Sequence, residues 1–371
     1  FKSRTNFINI SPLKSDLIDE VDGEWIAPRP NTDTALMLGL AHTLYEFDLV
    51  DFDFISKYTV GFEDFLSYLL GEKDGIPKSA KWASDICEIE TEIIKNLAKE
   101  MSSKRTMISV SWSLTRQDHG EQPFWMAIAL SCMLGQIGLP GGGFGFGYSA
   151  TNFIGGNFVI PPAAAFPQGI NQVKDFIPVA RISDLLLHPR KNFKFDGKNY
   201  LYPDTKIVYW AGGNPFHHHQ DLRRLRRVWQ KPDTVIVHDW CWNASTKHAD
   251  IVLPTTTTLE RSDIAMSPRD NYFVAMRKAQ EPVGSARDDY EILCGIGCAM
   301  GVEEKFTEGR DASAWQRWMY DVTRQSMSAF GYELPSYDAF LERGWFKIDE
   351  LSKPAVVFDK FRADPIANKL D

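Results

Sequence analysis

The sequence has little cysteine, an excess of acid over base, and no long apolar run. Five cysteines in 371 residues (Cys87, Cys132, Cys241, Cys294 and Cys298) are odd in number and include no CxxC pair. That excludes an iron–sulfur or structural zinc framework built on paired, closely spaced thiols. Cys294 and Cys298, four apart in EILCGIGCAMG, fall on one apolar helix face, so the cysteines are expected to be reduced core residues. The 41 Lys and Arg are outnumbered by 49 Asp and Glu, a formal net charge of −8. This argues against binding nucleic acid or an acidic membrane through bulk electrostatics and leaves anionic ligands to local clusters. No apolar run reaches the roughly 18 residues of a membrane-crossing helix, and no signal peptide is visible, so no membrane insertion is expected. The sequence opens on Phe1, and the amino end of the protein, with any targeting signal, is expected to precede it. The compartment, periplasmic or cytoplasmic, is therefore left open.

What is present is ordinary for a globular protein: 44% hydrophobic and 24% charged residues, in a chain long enough for two domains with real cores. FINI (7–10) reads as a short strand closed by Ser11-Pro12. WIAPRPNTDTALMLGLAHTLYEF gives a turn and a helix, with Asn31, Thr32 and Asp33 as capping residues and Ala35, Leu36, Leu38, Leu40, Ala41 and Leu44 on the buried side. TEIIKNLAKEM (91–101) is a helix burying Ile94, Leu97, Ala98 and Met101. RTMISVSW (105–112) reads as a buried strand and QPFWMAIALSCMLGQIG (122–138) as a buried helix, ended by the glycines of GLPGGGFGFGY. Residues 141–204 lack regular pattern apart from a helical piece near ARISDLLLH. Strand KIVYWAG (206–212), helix HQDLRRLRRVWQ, strand TVIVHDW (234–240), a short helix and strand ADIVLP (249–254) follow. The alternation implies βαβ units and a parallel sheet. The stretch from 285 to about 330 is helical, and the tail from 335 is irregular.

WAGGNPFHHHQDLRRLRR (210–227) admits three readings. Adjacent helical histidines point about 100° apart, so His217, His218 and His219 cannot converge on one metal without irregular backbone, and zinc spacing is absent. In DLRRLRRVW the apolar Leu222, Leu225, Val228 and Trp229 recur at helical spacing, which leaves the arginines on a solvated face. The third reading starts from the backbone. An apolar strand ending in Ala-Gly-Gly-Asn before a helix is how doubly wound α/β folds bring main chain close to a nucleotide or phosphate. It predicts polar residues at the neighbouring strand ends. Those are present as Ser11-Pro12, Arg116, His238-Asp239 and Arg261.

GEQPFWMAIALSCMLGQIGLPGGGFGFGY, YWAGGNPFHHHQDLRRLRR and KHADIVLPTTTTLERSDI resemble the molybdopterin oxidoreductases of the dimethyl sulfoxide reductase family, nearest the biotin sulfoxide and trimethylamine-N-oxide reductase branch. EWIAPRPNTDTALMLGLAHTL and KYTVGFEDFLSYLLGEKDGIPKSAKWAS fit the same branch, so the resemblance spans nearly the whole chain. It implies molybdenum held by two molybdopterin guanine dinucleotides, Mo-bis(molybdopterin guanine dinucleotide), between α/β domains. The implied reaction is two-electron removal of oxygen from a small S-oxide or N-oxide, with an electron-donor protein or reductant as partner and a monomeric full-length enzyme. The protein's part is to bind, orient and tune the cofactor.

The resemblance also implies the cofactor contacts. Ser11 and Pro12 stand where the family usually has Asp-Pro, so the carboxylate usual at that strand end is missing. Asp33 in PNTD matches the second acidic position. Trp112 and Arg116 in WSLTR match the pair beside the pterin. Asn214 and His218 match the GGNPFHHH block, and His238 and Asp239 the next strand end. Arg261 in LERSD and Asp289 in ARDDY match the remaining basic and acidic positions. Chemically the set is coherent: Asp33, Asp239 and Asp289 suit guanine amino and imino groups, and Arg116 and Arg261 suit pyrophosphate. His217 and His219 are expected to pack or face solvent.

Family members are considerably longer, with the molybdenum ligand, a serine in this branch, upstream of Phe1 and a further cofactor-binding domain after the last residue. The 371 residues are therefore expected to be an interior segment of doubly wound, mostly parallel α/β architecture, without turnover of its own. Residues 1–140 would form the later half of a dinucleotide-binding-like domain. Residues 141–371 would form a second molybdopterin-binding domain, with 141–204 as an irregular entry and a C-terminal tail. The alternatives are a catalytically inactive nucleotide-binding module or another branch of the same superfamily.

Overall fold

The computed structural model describes residues 5–148, 163–267, 270–329, 331–349 and 356–370. The chain divides into two compact units. One is Phe1–Val159 with Glu350–Asp371, the other Ile160–Asp349. Both mix helices with small sheets.

In the first unit β1 (Ile8–Ile10) pairs in parallel with β2 (Glu24–Ile26). The core is helical. In α1 (Asp33–Glu46) the buried residues run almost continuously from Leu36 to Leu44, as expected of a helix that is apolar all round and packed on every side. After α2 (Phe52–Tyr58) and α3 (Phe62–Leu69), the helices α4 (Ala80–Cys87) and α5 (Thr91–Ser103) surround α1. Gly39 lets α4 approach, since a Cβ there would lie 2.5 Å from that of Ala83. α5 buries Ile94, Leu97, Ala98 and Met101, the face its period predicts. The capping expectation at α1 fails: the Thr32 hydroxyl turns back to donate to the Arg29 carbonyl at 2.5 Å, and no side chain caps the helix.

β3 (Met107–Val110) pairs in parallel with β4 (Gly143–Phe146). The burial expected of β3 is not found, for Met107 is 42% exposed. A two-stranded ribbon has few neighbours with which to cover both faces. Between them, α6 (Gln122–Met133) stops short of residue 138, because Gly135 adopts φ +66 beside the Asp51 side chain. Arg362, on a short helix Asp359–Ala363, donates to the freed carbonyls of Gly135 (2.9 Å) and Ile137 (2.8 Å).

The second unit begins with α7 (Ile182–Leu187) and a hairpin, β5 (Asn192–Phe195) and β6 (Lys198–Leu201). The hairpin corrects the expectation of no pattern in 141–204, of which 149–162 lie outside the described residues. Asp196-Gly197 turns it with φ of 47 and 70, the primed geometry that suits the strand twist. A parallel sheet of β7 (Ile207–Ala211), β8 (Thr234–Asp239) and β9 (Ile251–Pro254) follows, in that order. Between β7 and β8 lie α8 (Pro215–His218) and α9 (Leu222–Val228). Val208 and Trp210 of β7 and Val235 and Val237 of β8 pack on one face with Leu186, Phe216, Leu225, Val228 and Trp229. The strand period of two sends Tyr209, Ile236 and His238 to the other face.

Further on, β10 (Asp263–Met266), β11 (Tyr272–Met276) and β12 (Trp345–Lys347) form an antiparallel sheet. Helices α10 (Asp289–Ala299), α11 (Glu303–Thr307), α12 (Ala312–Ser328) and α13 (Tyr337–Arg343) complete the unit. The tail expected to be irregular thus holds α13 and β12, pinned by buried Phe340, which stacks on Tyr320 at 4.9 Å. The cysteine expectation is also corrected. Cys87 is buried, but Cys241 and Cys298 are exposed and Cys132 and Cys294 only half-buried; all five are free thiols. No helix among the described residues is long and apolar enough to cross a membrane.

Candidate functional site

A parallel sheet directs the residues after each strand to one edge, where main chain and polar side chains can meet a ligand. In the second unit that edge is the carboxyl end of β7–β8–β9. Gly212 and Gly213 leave β7 with φ of 77 and 73, a region open to glycine at no steric cost. A Cβ at Gly212 would have no neighbour within 4 Å, so the backbone here is bare. Asn214 Oδ1 accepts from Phe216 N–H (3.0 Å), capping α8, and from the Ser245 hydroxyl (2.7 Å). At the end of β8, Asp239 accepts from Trp240 N–H (2.9 Å) and Asn243 Nδ2 (2.6 Å). Asn243 in turn accepts from Ser245 N–H at 2.9 Å. Asn214 and Asp239, from neighbouring strand ends, are therefore fixed by one hydrogen-bonded network.

His238 behaves differently from its neighbour. Its side chain is 1% exposed, with Nε2 2.6 Å from the Tyr209 hydroxyl and Nδ1 2.8 Å from Asp289 Oδ1. Both ring nitrogens are occupied, so the imidazole has no free polar atom for a ligand. Asp289 opens α10 and is 55% exposed. Burial, then the Asp289 charge, raises the pKa of the Tyr209 hydroxyl and keeps it protonated.

After β9, the loop Thr255–Arg261 is organised by Glu260, at the T-x-x-E spacing of a capping box but in a turn without a helix. Buried Glu260 accepts from Thr257 N–H (2.7 Å), the Thr257 hydroxyl (3.0 Å) and Val283 N–H (2.8 Å). Those bonds, the backbone ones first, hold its carboxyl below the usual range. Arg261 follows, about a third exposed. It donates to the Thr256 carbonyl (3.2 Å), and its Nε lies 3.5 Å from Asp263. His217 and His218 are exposed; His219 lies edge-on to Trp210 at 6.2 Å, its pKa lowered by burial and then by His218. Trp240 and Trp242 stand 68% and 73% exposed beside Asp239.

The remaining sequence-predicted residues lie in the first unit. Ser11 is buried, and its hydroxyl bonds the Asp16 carboxylate and accepts from Leu13 N–H (3.1 Å), while Pro12 is exposed. A carboxylate thus does stand beside this strand end, five residues late. Asp33, the first residue of α1, has its pKa raised by burial. Trp112 is 54% exposed and edge-on to Phe146 at 5.7 Å; Arg116 is exposed. A cavity of about 410 Å³, lined by Asn31, Thr34, Gln117, Asp118, His119 and Gln122, lies next to Asp33 and Arg116 in sequence. Sequence reasoning missed Tyr209, Asn243, Ser245 and Glu260. The capping-box spacing could have found Glu260, and the strand period could have put Tyr209 on the His238 face.

Residues 1–298 match the family model described as molybdopterin oxidoreductase. The chain belongs to that family. It is 45% identical over 365 residues to the biotin sulfoxide reductase of Cereibacter sphaeroides, covering 98% of this chain and 49% of that protein. It is 42% identical over 379 residues to the dimethyl sulfoxide/trimethylamine N-oxide reductase of Rhodobacter capsulatus, covering 99% and 46%. The chain therefore spans about half the length of these relatives. Among solved structures, acetylene hydratase from Pelobacter acetylenicus matches with a TM-score of 0.58 at 15% identity, over 94% of this chain and 49% of that one, which speaks to the fold alone. A molybdopterin oxidoreductase carries a molybdenum–molybdopterin cofactor. The strand-end chemistry of the second unit fits part of such a group: bare glycine backbone, exposed carboxylate and arginine offer both polarities to a large polar ligand. Among the described residues, no three or more His, Cys, Asp or Glu side chains are placed to hold a metal ion.

Proposed function

We propose that this chain forms the central part of a molybdenum reductase that carries bis(molybdopterin guanine dinucleotide) and removes oxygen from S-oxides or N-oxides. The reading is supported by relatives named for biotin sulfoxide, dimethyl sulfoxide and trimethylamine N-oxide. One observation carries it: after the carboxyl ends of β7 and β8, Asn214 and Asp239 join one hydrogen-bonded network, and Asp289 is bonded to His238 of β8. Two doubly wound α/β domains, at 1–140 and 141–371, are part of this reading.

The bound cofactor supplies the two-electron chemistry; the chain's residues hold it. Asp239 and Asp289 accept from guanine N1–H and the 2-amino group, with Asp33 doing the same in the first unit. Arg261 and Arg116 would pair with pyrophosphate oxygens, which a guanidinium suits best. Gly212 and Gly213 admit the close approach of the ligand, and Asn214 and His218 supply polar edge contacts. Trp112 would stand beside the pterin, and Ser11 and Pro12 would hold the first strand end against the cofactor, with Ser11 bonded to the Asp16 carboxylate.

The test uses the complete protein from a cofactor-producing host. Arg261→Ala should lower molybdenum content and the GMP released by acid hydrolysis, both per polypeptide, while melting stays near wild type. The unaltered protein should reduce biotin sulfoxide or trimethylamine N-oxide with reduced viologen. Full cofactor content in the variant would remove Arg261 from the site. A complete protein without molybdenum or turnover would favour the inactive nucleotide-binding module.

A further inference from the structure

We propose that Tyr209 and His238 are positioning residues that lock the Asp289 carboxylate in one orientation and so set the preference of this site for guanine over other purines. The inference rests on the guanine reading above. Its basis is a chain of three side chains from distant segments: Tyr209 on β7, His238 on β8, 29 residues on, and Asp289 at the start of α10, 51 residues further.

The proton positions follow from the partners. A buried imidazole needs both nitrogens satisfied, since leaving either unpaired costs desolvation without return. Asp289 is acceptor-only when ionised, so Nδ1 must carry the proton and donate to Oδ1. Nε2 is then the acceptor, and the protonated Tyr209 hydroxyl is its donor. One neutral tautomer satisfies all three groups, and every donor points the same way, from Tyr209 through His238 to Asp289.

Asp289 is also spared the usual duty of its position. The helix cap of α10 is provided by Asp288, which accepts from Glu291 N–H at 2.8 Å. Two aspartates therefore stand at one helix start, one used by the helix and the other held by a buried histidine with half its side chain in the open. A carboxylate free to spin about its χ angles pays to be ordered by each ligand; one anchored through Oδ1 does not. Oδ2 and the remaining lone pair of Oδ1 stay available as parallel acceptors. Guanine offers the matching pair of donors, N1–H and the 2-amino group. Hypoxanthine offers only the first, and adenine places a bare ring nitrogen against the carboxylate.

The experiment titrates cofactor-free, full-length protein with GDP and with inosine diphosphate, comparing wild type with Asp289→Ala, His238→Asn, His238→Gln and Tyr209→Phe, each checked by its melting curve. An asparagine amide can take the place of Nδ1–H toward Asp289, whereas glutamine reaches toward Tyr209. A hydrogen bond to a charged group supports an expected loss of about tenfold or more in GDP affinity for Asp289→Ala. His238→Gln should lose most of the GDP-over-inosine preference and His238→Asn should keep most of it. Tyr209→Phe should lower the ratio in the same direction by less, because Nε2 loses its donor and the ring is held less firmly while Asp289 still keeps the proton on Nδ1. If the wild type binds no GDP, or Asp289→Ala binds it equally well, the guanine reading itself fails. If Asp289→Ala loses GDP but the Asn and Gln variants are alike, or the ratio never changes, the positioning role is overturned and the guanine reading stands.

Discussion

Leu225 lies beneath the strand ends that carry Asn214 and Asp239, on the inner face of α9, with 0% of its surface exposed. Its neighbours Leu186, Val228, Trp229, Val235 and Val237 are all buried. Leu225→Ala removes three carbons from this core. At about 0.8 kcal/mol per buried methylene the transfer loss alone is about 2.4 kcal/mol. The neighbours cannot close the gap cheaply, because Phe216 and Trp229 are packed edge to face at 5.6 Å and further movement would break that contact. A residual cavity adds to the loss, which places the expected cost at about 3–5 kcal/mol. Leu222 on the same helix is 46% exposed. Truncating it forfeits roughly half the transfer term and encloses no cavity, so about 1 kcal/mol is expected.

The pair controls for helix propensity, because both substitutions put alanine into α9. A chain of two units need not unfold in one step. Hydrogen exchange of peptides from β7, β8 and β9 is therefore the assay, alongside guanidinium titration of the whole protein. Leu225→Ala should speed exchange in all three strands, and Leu222→Ala should leave them near wild type. Equal effects of the two substitutions, or a Leu225→Ala cost below about 1 kcal/mol, would refute the assignment of Leu225 as the support of this sheet.

Other outcomes follow from single residues. Asp288→Ala removes the cap of α10 and should cost about 1 kcal/mol, seen as faster exchange in the first turn of that helix; no change would mean the cap is not formed in solution. Gly212→Ala meets no atom within 4 Å but must hold a φ of 77, so it should destabilise by about 1–2 kcal/mol and lower cofactor content, measured as released GMP. Burial pushes the Cys132 thiol up to about 11, while Cys241 is exposed; a thiol reagent at pH 8 should therefore label Cys241 in the native protein and Cys132 only after unfolding. Glu260 is held below the usual carboxylate range by its donors, so its contribution is complete above the unfolded value of about 4.3 and is lost as pH falls toward the lowered folded value. Glu260→Gln should flatten stability against pH in that acid window, and an unchanged profile would contradict the loop geometry.

The legible parts of the fold were those in which one period dominates. α5 and the β7–β8 pair carry clean helical and strand spacing, and their buried faces match it. The β5–β6 hairpin was missed although Asp196-Gly197 is a strong turn signal, because NFKF and KNYL flank it with little apolar content. β12 and α13 were missed for another reason. Their order comes from Phe346 packing on Phe273 of β11 and Phe340 on Tyr320 of α12, which no local window registers. β3 looked buried because three of its four residues, Met107, Ile108 and Val110, are apolar, yet a strand is buried only if something covers it.

The same distinction governs the site. Of the residues proposed to present atoms to the cofactor, Asn214, Asp239 and Arg261 follow strand ends, which can be counted from sequence; Asp289 opens α10 and was reached only through the family resemblance. Residues that hold those atoms still are buried, and their partners are set by the register of the sheet. Ala211 pairs with His238 across β7 and β8, which puts Tyr209 two residues back on the same face. A one-residue slip in that register would turn Tyr209 into the core and leave His238 without its donor. The imidazole would then be buried with one nitrogen unpaired, at a cost of about 1–3 kcal/mol. The relay therefore favours the native register as well as the orientation of Asp289. Tyr209→Phe in hydrogen exchange should weaken β7–β8 pairing near Ala211 more than near Ile207, and a uniform effect along the strand would separate the two roles.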